Sequence, residues 1–326
     1  MPMLGTHIRY QIISLRSSER RSISLYITQH KLKMKNRKPI IAGIMSILFM
    51  GSGQLYNGQL RKAVIFALSI IPLYFLIGFS GLLNSFNGLI ISMLLVMSYI
   101  AFVLFDAIKW AIKQKGYELK PVNSMKYYIG FIIGWYILIF ALPPTVRNIT
   151  GYEAFEIPTP SMEPSIIVGD RILATRINPK YIETGDIITF TQEDGQKYLS
   201  RAIGLPGQKI EIVDDKVSID GKIEEWVKNK IIIDGQYEYQ TFKSILPSKR
   251  NIETQTMLKY NNRNVPEQET SNQNSITIPD NQIFVLGDNR NNSMDSRIYG
   301  TVDFENIDKK VHYIWWSDDK KRIGKI

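Results

Sequence analysis

The chain has 326 residues, with 40 Lys plus Arg against 30 Asp plus Glu and a formal charge of +10. At 44% hydrophobic and 21% charged residues it is too apolar for a disordered protein. It has no cysteine, which excludes a disulfide framework, a zinc ribbon, a Cys nucleophile and iron–sulfur ligation. The three histidines, His7, His30 and His312, are scattered without ligand spacing, so no metal is expected. Long apolar runs fill the first half, while the chain from about Asn148 onward is polar and rich in turn residues. That split excludes a single soluble globule.

Arg9, Arg16, Arg20, Arg21, Lys31, Lys33, Lys35, Arg37 and Lys38 precede the first apolar run, with Glu19 opposing them. Residues 1–38 therefore read as a basic tail at a membrane edge rather than a nucleic-acid surface. Residues 1–33 lack an apolar period, whereas Met34 opens MKNRKPIIAGIMSILF, so residues 1–33 read as an over-extended start. The apolar run at 40–51 is about a dozen residues, short of the roughly 20 a span needs, and ends in GSGQLYNGQ. A re-entrant or interfacial hairpin is expected there. Residues 63–86, 88–108 and 127–142 are expected to cross the bilayer, completing a membrane region over 39–145. Arg37, Lys38, Arg61 and Lys62 precede the first span, and Lys109, Lys113, Lys115, Lys120 and Lys126 lie between the second and third. Both loops are expected to be cytoplasmic, which makes the chain multi-pass and puts everything after Pro144 outside.

From Ile166 the sequence alternates short runs such as GDRILATRI, GDIITFT, KYLSRAIGL, QIFVLGD and VHYIWWS with Gly and Asp turns. This pattern predicts an all-β domain over 146–326. Residues 221–276, including NNRNVPEQETSNQNS, read as a polar surface insertion with a mobile loop. Ahead of the strands lies FEIPTPSMEPSIIVGD, in which Pro158, Pro160 and Pro164 stiffen the chain around Ser161. Rigid placement suits a nucleophile, although a Pro-Ser turn can equally be structural.

Two distant segments bear on that choice: YLSRAIGLPGQ at 198–208 and GDNRNNSMDSRIYG at 287–300. With PTPSMEPS, IWWS and the RIGKI tail they resemble type I signal peptidases, membrane-bound serine proteases, over roughly 152–326 outside the insertion. The resemblance implies N-terminal transmembrane helices followed by a mainly antiparallel β catalytic domain. By position it makes Ser161 the nucleophile and Thr159 a donor to the oxyanion hole. It makes Asp288, Asp295 and Arg297 braces, with Arg201 as an ionic partner, and Ser293 a contact of the general base. Asn291 stands where the family commonly has Asp. The SGQLYNGQ hairpin and the extra spans lie outside the family's shared catalytic unit.

One departure bears directly on the chemistry. A serine needs a base to attack an amide, and bacterial members of the family use a desolvated lysine directly before the arginine of the KRxxGLPG motif. Here that position is Ser200. Strand alternation puts Lys197 on the opposite face, and Lys209 and His312 could approach only through an arrangement not evident in the sequence. The implied function is removal of signal peptides from exported precursors after small residues in an Ala-x-Ala-like pattern. The alternative is a catalytically silent relative that binds signal peptides or partners at the membrane. No cofactor is implied. The expected partners are signal peptides and the lipid bilayer, the expected location is the cell membrane, and nucleic acid is not expected.

Overall fold

Pro39 opens helix α1 (Pro39–Leu48) at the position where a missing N–H costs nothing. The computed structural model describes residues 34–326 except 115–116, 214–215, 235–236, 249, 261–262 and 265–272. Most of the basic tail and the over-extended start therefore lie outside the described residues. Gly51, in the left-handed region at φ 94°, turns α1 into α2 (Ser52–Tyr56). A Cβ on Gly53 would come within 2.3 Å of the Ala42 carbonyl oxygen, so close packing requires glycine at that position. At ten residues, α1 is too short to cross a bilayer.

Among the described residues, three stretches are long and apolar enough to cross a membrane: Leu60–Phe79, Phe86–Lys113 and Met125–Thr150. The first comprises α3 (Leu60–Leu68) and α4 (Ile70–Phe79), and the others are α5 and α6. The first ends at Phe79, short of the expected residue 86, because Gly81 adopts φ 73° and a tight turn follows at Leu82–Asn84. The third continues through Pro143 and Pro144 to Thr150, past its expected end at 142. There the Thr145 and Thr150 hydroxyls donate to the Ala141 and Val146 carbonyls, each at 2.7 Å. Gln54 and Asn57 of the hairpin are fully buried. Their amides donate to the Val103 and Ala107 carbonyls of α5 at 2.9 and 2.8 Å.

The chain divides into two compact units, one of residues up to 77 with 91–145, the other of 78–90 with 146–326. The second is built on a seven-stranded antiparallel sheet. Its strands are β1 (Glu153–Glu156), β2 (Arg171–Arg176), β3 (Ile187–Thr191), β4 (Lys197–Gly204), β11 (Gln282–Leu286), β12 (Val302–Asp303) and β13 (Ile307–Trp316). They lie in the order β12-β11-β4-β3-β13-β2-β1. A smaller sheet contains β5 (Lys209–Val213), β6 (Lys216–Ile219) and β10 (Gln273–Thr277).

The polar insertion forms a sheet of its own, with β7 (Glu225–Asp234), β8 (Tyr237–Ile245) and β9 (Asn251–Tyr260) paired antiparallel. The consecutive Ile231, Ile232 and Ile233, with Tyr239 and Phe242, favour extended chain in those pairs. Most of the expected mobile loop lies outside the described residues. Alternation along β4 serves two cores: Leu199 packs with Ile157, Met162 and Ile187, while Tyr198 and Ala202 pack with Ile188, Phe190 and Val285. Ser200 and Arg201 lie between these positions.

Candidate active site

The proline-rich loop places its serine on a single turn, Pro160–Met162, preceded by Thr159 in extended conformation. Met162 is fully buried and anchors the turn in the core beneath, leaving Ser161 half-buried beside an exposed Thr159. Their hydroxyl oxygens are 3.4 Å apart. Among the described residues, Thr159 is the hydrogen-bond partner of the Ser161 hydroxyl.

The GDNR segment holds the backbone of this turn. The Asn289 N–H donates to the Ser161 carbonyl at 3.1 Å and its side-chain amide to the Pro160 carbonyl at 3.1 Å. A Cβ on Gly287 would lie 2.6 Å from both the Ser161 carbonyl oxygen and Ser293 Oγ, so glycine is required where the two segments meet. The glycine also brings Ser293 to the Ser161 backbone. Ser293 Oγ donates to Asp295 Oδ2 at 2.5 Å.

Charge fixes the surrounding strands. Arg201 of β4 makes a bidentate pair with Asp288, Nε to Oδ1 at 2.8 Å and Nη2 to Oδ2 at 2.5 Å. Its Nη1 donates to the Gly185 carbonyl at 2.7 Å. Both side chains are buried, at 5% and 1% exposure, so their pairing replaces lost hydration. Asp295 is also fully buried and accepts from the Gly287 N–H at 3.0 Å and from Arg297 Nε and Nη2, each at 2.8 Å. A second buried pair joins Arg290 to Glu224, which lies just before β7. Burial alone would raise the Glu224 carboxyl. The Arg290 charge and hydrogen bonds from Ser244 and the Val217 N–H hold it below the ordinary carboxylate value.

Ser200 is 2% exposed and pairs across the sheet with Ile188. Its strand neighbours Tyr198 and Ala202 pack with Phe190 and Tyr299. The Tyr299 hydroxyl shares this pocket with Ser200, and burial, then the nearby charge of Asp295, push its ionisation well above the ordinary tyrosine value. It is therefore neutral and not a base.

The sequence-derived substitutes lie elsewhere. Lys197 bonds to Asp308 at 2.8 Å, and Lys209 is exposed on β5. His312 stacks obliquely near Tyr152, ring centres 6.3 Å apart. Burial and then the Lys310 charge lower its pKa to about 4. The structure thus gathers Ser161, Thr159 and Ser293 with the Arg201, Asp288, Asp295 and Arg297 network, and brings none of the three candidate bases to Ser161 by a hydrogen bond. Among the described residues, no group of three or more His, Asp or Glu could hold a metal.

Sequence reasoning missed Asn289, Arg290 and Tyr299, although all three lie within the GDNR segment. It also missed Glu224 and Arg322, and of these only Arg322, in the RIGKI tail, carried a local signal. Arg322 donates to Asp170 Oδ2 at 2.8 Å and to the Pro164 and Ser165 carbonyls at 3.1 and 2.8 Å, holding the far arm of the serine loop.

Residues 129–316 match the family described as Signal peptidase, peptidase S26. The chain is 33% identical over 191 residues to a signal peptidase I of Rickettsia prowazekii (strain Madrid E), covering 51% of this chain and 72% of that protein. It is 31% identical over 213 residues to a signal peptidase I of Rickettsia bellii (strain OSU 85-389), covering 56% and 71%. Among solved structures, a signal peptidase I from Enterococcus faecalis V583 aligns at 27% identity and a TM-score of 0.25, covering 40% of this chain and 95% of that one.

Proposed function

The chain belongs to the signal peptidase family, peptidase S26, a family of serine proteases, and we propose that Ser161 is the nucleophile with which it removes signal peptides from exported precursors. The carrying observation is the Ser161 turn itself: a half-buried hydroxyl beside Thr159, on a backbone held by Asn289. Ser161 Oγ attacks the scissile carbonyl and gives up its proton to solvent water, while the Thr159 hydroxyl and backbone amides receive the oxyanion. Collapse breaks the C–N bond, the amine of the mature chain leaves with a proton taken from water, and the acyl-enzyme that remains is hydrolysed by water to regenerate the serine. Arg201, Asp288, Asp295 and Arg297 keep the strands in register without touching the reacting atoms. Cleavage after small residues in an Ala-x-Ala-like pattern fits this family.

Ser200 occupies the position of the family's lysine and cannot take a proton near neutral pH, so turnover is slow. The precursor lies extended along the β unit and uses main-chain hydrogen bonds for affinity. The β unit lies on the extracytoplasmic side of a multi-pass cell-membrane protein, a reading supported by the basic residues flanking the candidate spans.

The test compares detergent-purified protein with Ser161→Ala on an Ala-x-Ala precursor. Cleavage that is lost in the mutant is the expected result. Binding without cleavage by either protein would favour the silent-relative reading that Ser200 raises.

A further inference from the structure

Residues 78–90, the turn between the first two candidate spans, belong to the same compact unit as the β strands. Their contacts there are specific. The Tyr152 hydroxyl donates to Asn84 Oδ1. The Phe86 ring meets Tyr313 of β13 edge-on, centres 5.8 Å apart at 75°, and Tyr313 is 2% exposed. Gly324 lies against the same ring: a Cβ there would be 2.9 Å from Phe86 Cδ1, and its φ of +82° also favours glycine. Phe86 thus caps the tail that follows β13.

That tail is hydrogen-bonded to the end of β13, Gly324 N–H to the Ile314 carbonyl at 2.8 Å and Ile314 N–H to the Lys325 carbonyl at 3.1 Å. Two residues before Gly324, Arg322 grips Asp170 and the Pro164 and Ser165 carbonyls. Asp170 in turn accepts from the Ile167 N–H at 3.0 Å. An unbroken series of contacts runs from Phe86 through Gly324 and Arg322 to the loop that carries Ser161.

We propose that the 78–90 turn is a working part of the protease unit, with Phe86 a positioning residue that seats the tail so that Arg322 holds the Ser161 loop. The catalytic part of this proposal rests on Ser161 being the reactive serine. The added spans then contribute more than attachment to a membrane: the turn joining two of them completes the support of the site.

The chain has no cysteine, so a Phe86→Cys/Gly324→Cys pair can form one disulfide only within a single chain. The Cβ separation of 3.4 Å is close to that of a disulfide. Mild oxidation of the full-length protein in native membranes is expected to join the pair, and failure to join would overturn the docking. In Phe86→Ala, amide exchange at Ile167 and Gly169 should rise about tenfold while Ile187–Thr191 stays unchanged. With precursor as substrate, kcat should fall about tenfold at constant KM, and Phe86→Tyr should restore it. Unchanged loop exchange, or an equal rise at Ile187–Thr191, would overturn the positioning role. If no form of the protein cuts precursor, the Ser161 reading fails, while the disulfide and the exchange still decide the clamp.

Discussion

In one region, Arg201, Asp288, Asn289, Asp295 and Arg297 form a network in which buried charges meet opposite charges or backbone groups. In the other, Ser200 lies beside Tyr299, and its strand neighbours Tyr198 and Ala202 pack with Phe190. On the reading proposed above, the first region places the nucleophile, and the second holds Ser200 where the family resemblance leads one to expect a lysine whose pKa burial would lower. On that reading positioning and proton transfer are separable, and one can be damaged or restored without the other.

The largest expected effect breaks the positioning side. Arg201→Ala leaves Asp288 buried and unpaired, and a loss of about 3–5 kcal/mol in stability is expected, measured as denaturant unfolding of the purified protein. Ser200→Lys supplies what the other side lacks. Its pocket should hold the amine largely neutral at working pH, raising kcat by about a hundredfold. Because the neutral amine is the active form, the rate should climb with pH through the lysine pKa. A variant no faster than the parent would show that the pocket does not open onto Ser161.

Thr159→Val removes one oxyanion donor while keeping the branched shape. A loss of about tenfold in kcat is expected, below the full value of a buried donor because Thr159 is exposed. The smallest effect lies away from the site. The folded-state pKa of His312 is about 4, below the ordinary 6.5, so the unfolded chain takes up a proton first as pH falls. The stability tied to neutral His312 is complete above about 6.5 and declines as pH falls toward 4. Thermal unfolding across that window should show the slope, and His312→Asn should flatten it.

Much of this was legible because the relevant signals are local. Apolar length marked the three candidate spans, proline spacing marked the Ser161 loop, and alternation placed Lys197 opposite Ser200. Glu224 had no such signal. It lies at the start of a polar insertion and becomes part of the site's surroundings only because Arg290, 66 residues later, enters the same buried pocket. The insertion was read as a polar surface insertion with a mobile loop, because composition carries no record of the antiparallel pairing of β7, β8 and β9.

The amino-acid sequence by itself determined the division into an apolar and a β-rich half and the stiff loop bearing Ser161. Each depends on composition or on neighbours a few residues apart. Only the tertiary structure decided that Gly287 brings Ser293 to Ser161, that Arg322 holds the serine loop, and that residues 78–90 pack with the β unit. Those are contacts between segments far apart in the chain. Close approach, desolvation and hydrogen-bond geometry select them only once the sheet has brought the segments together.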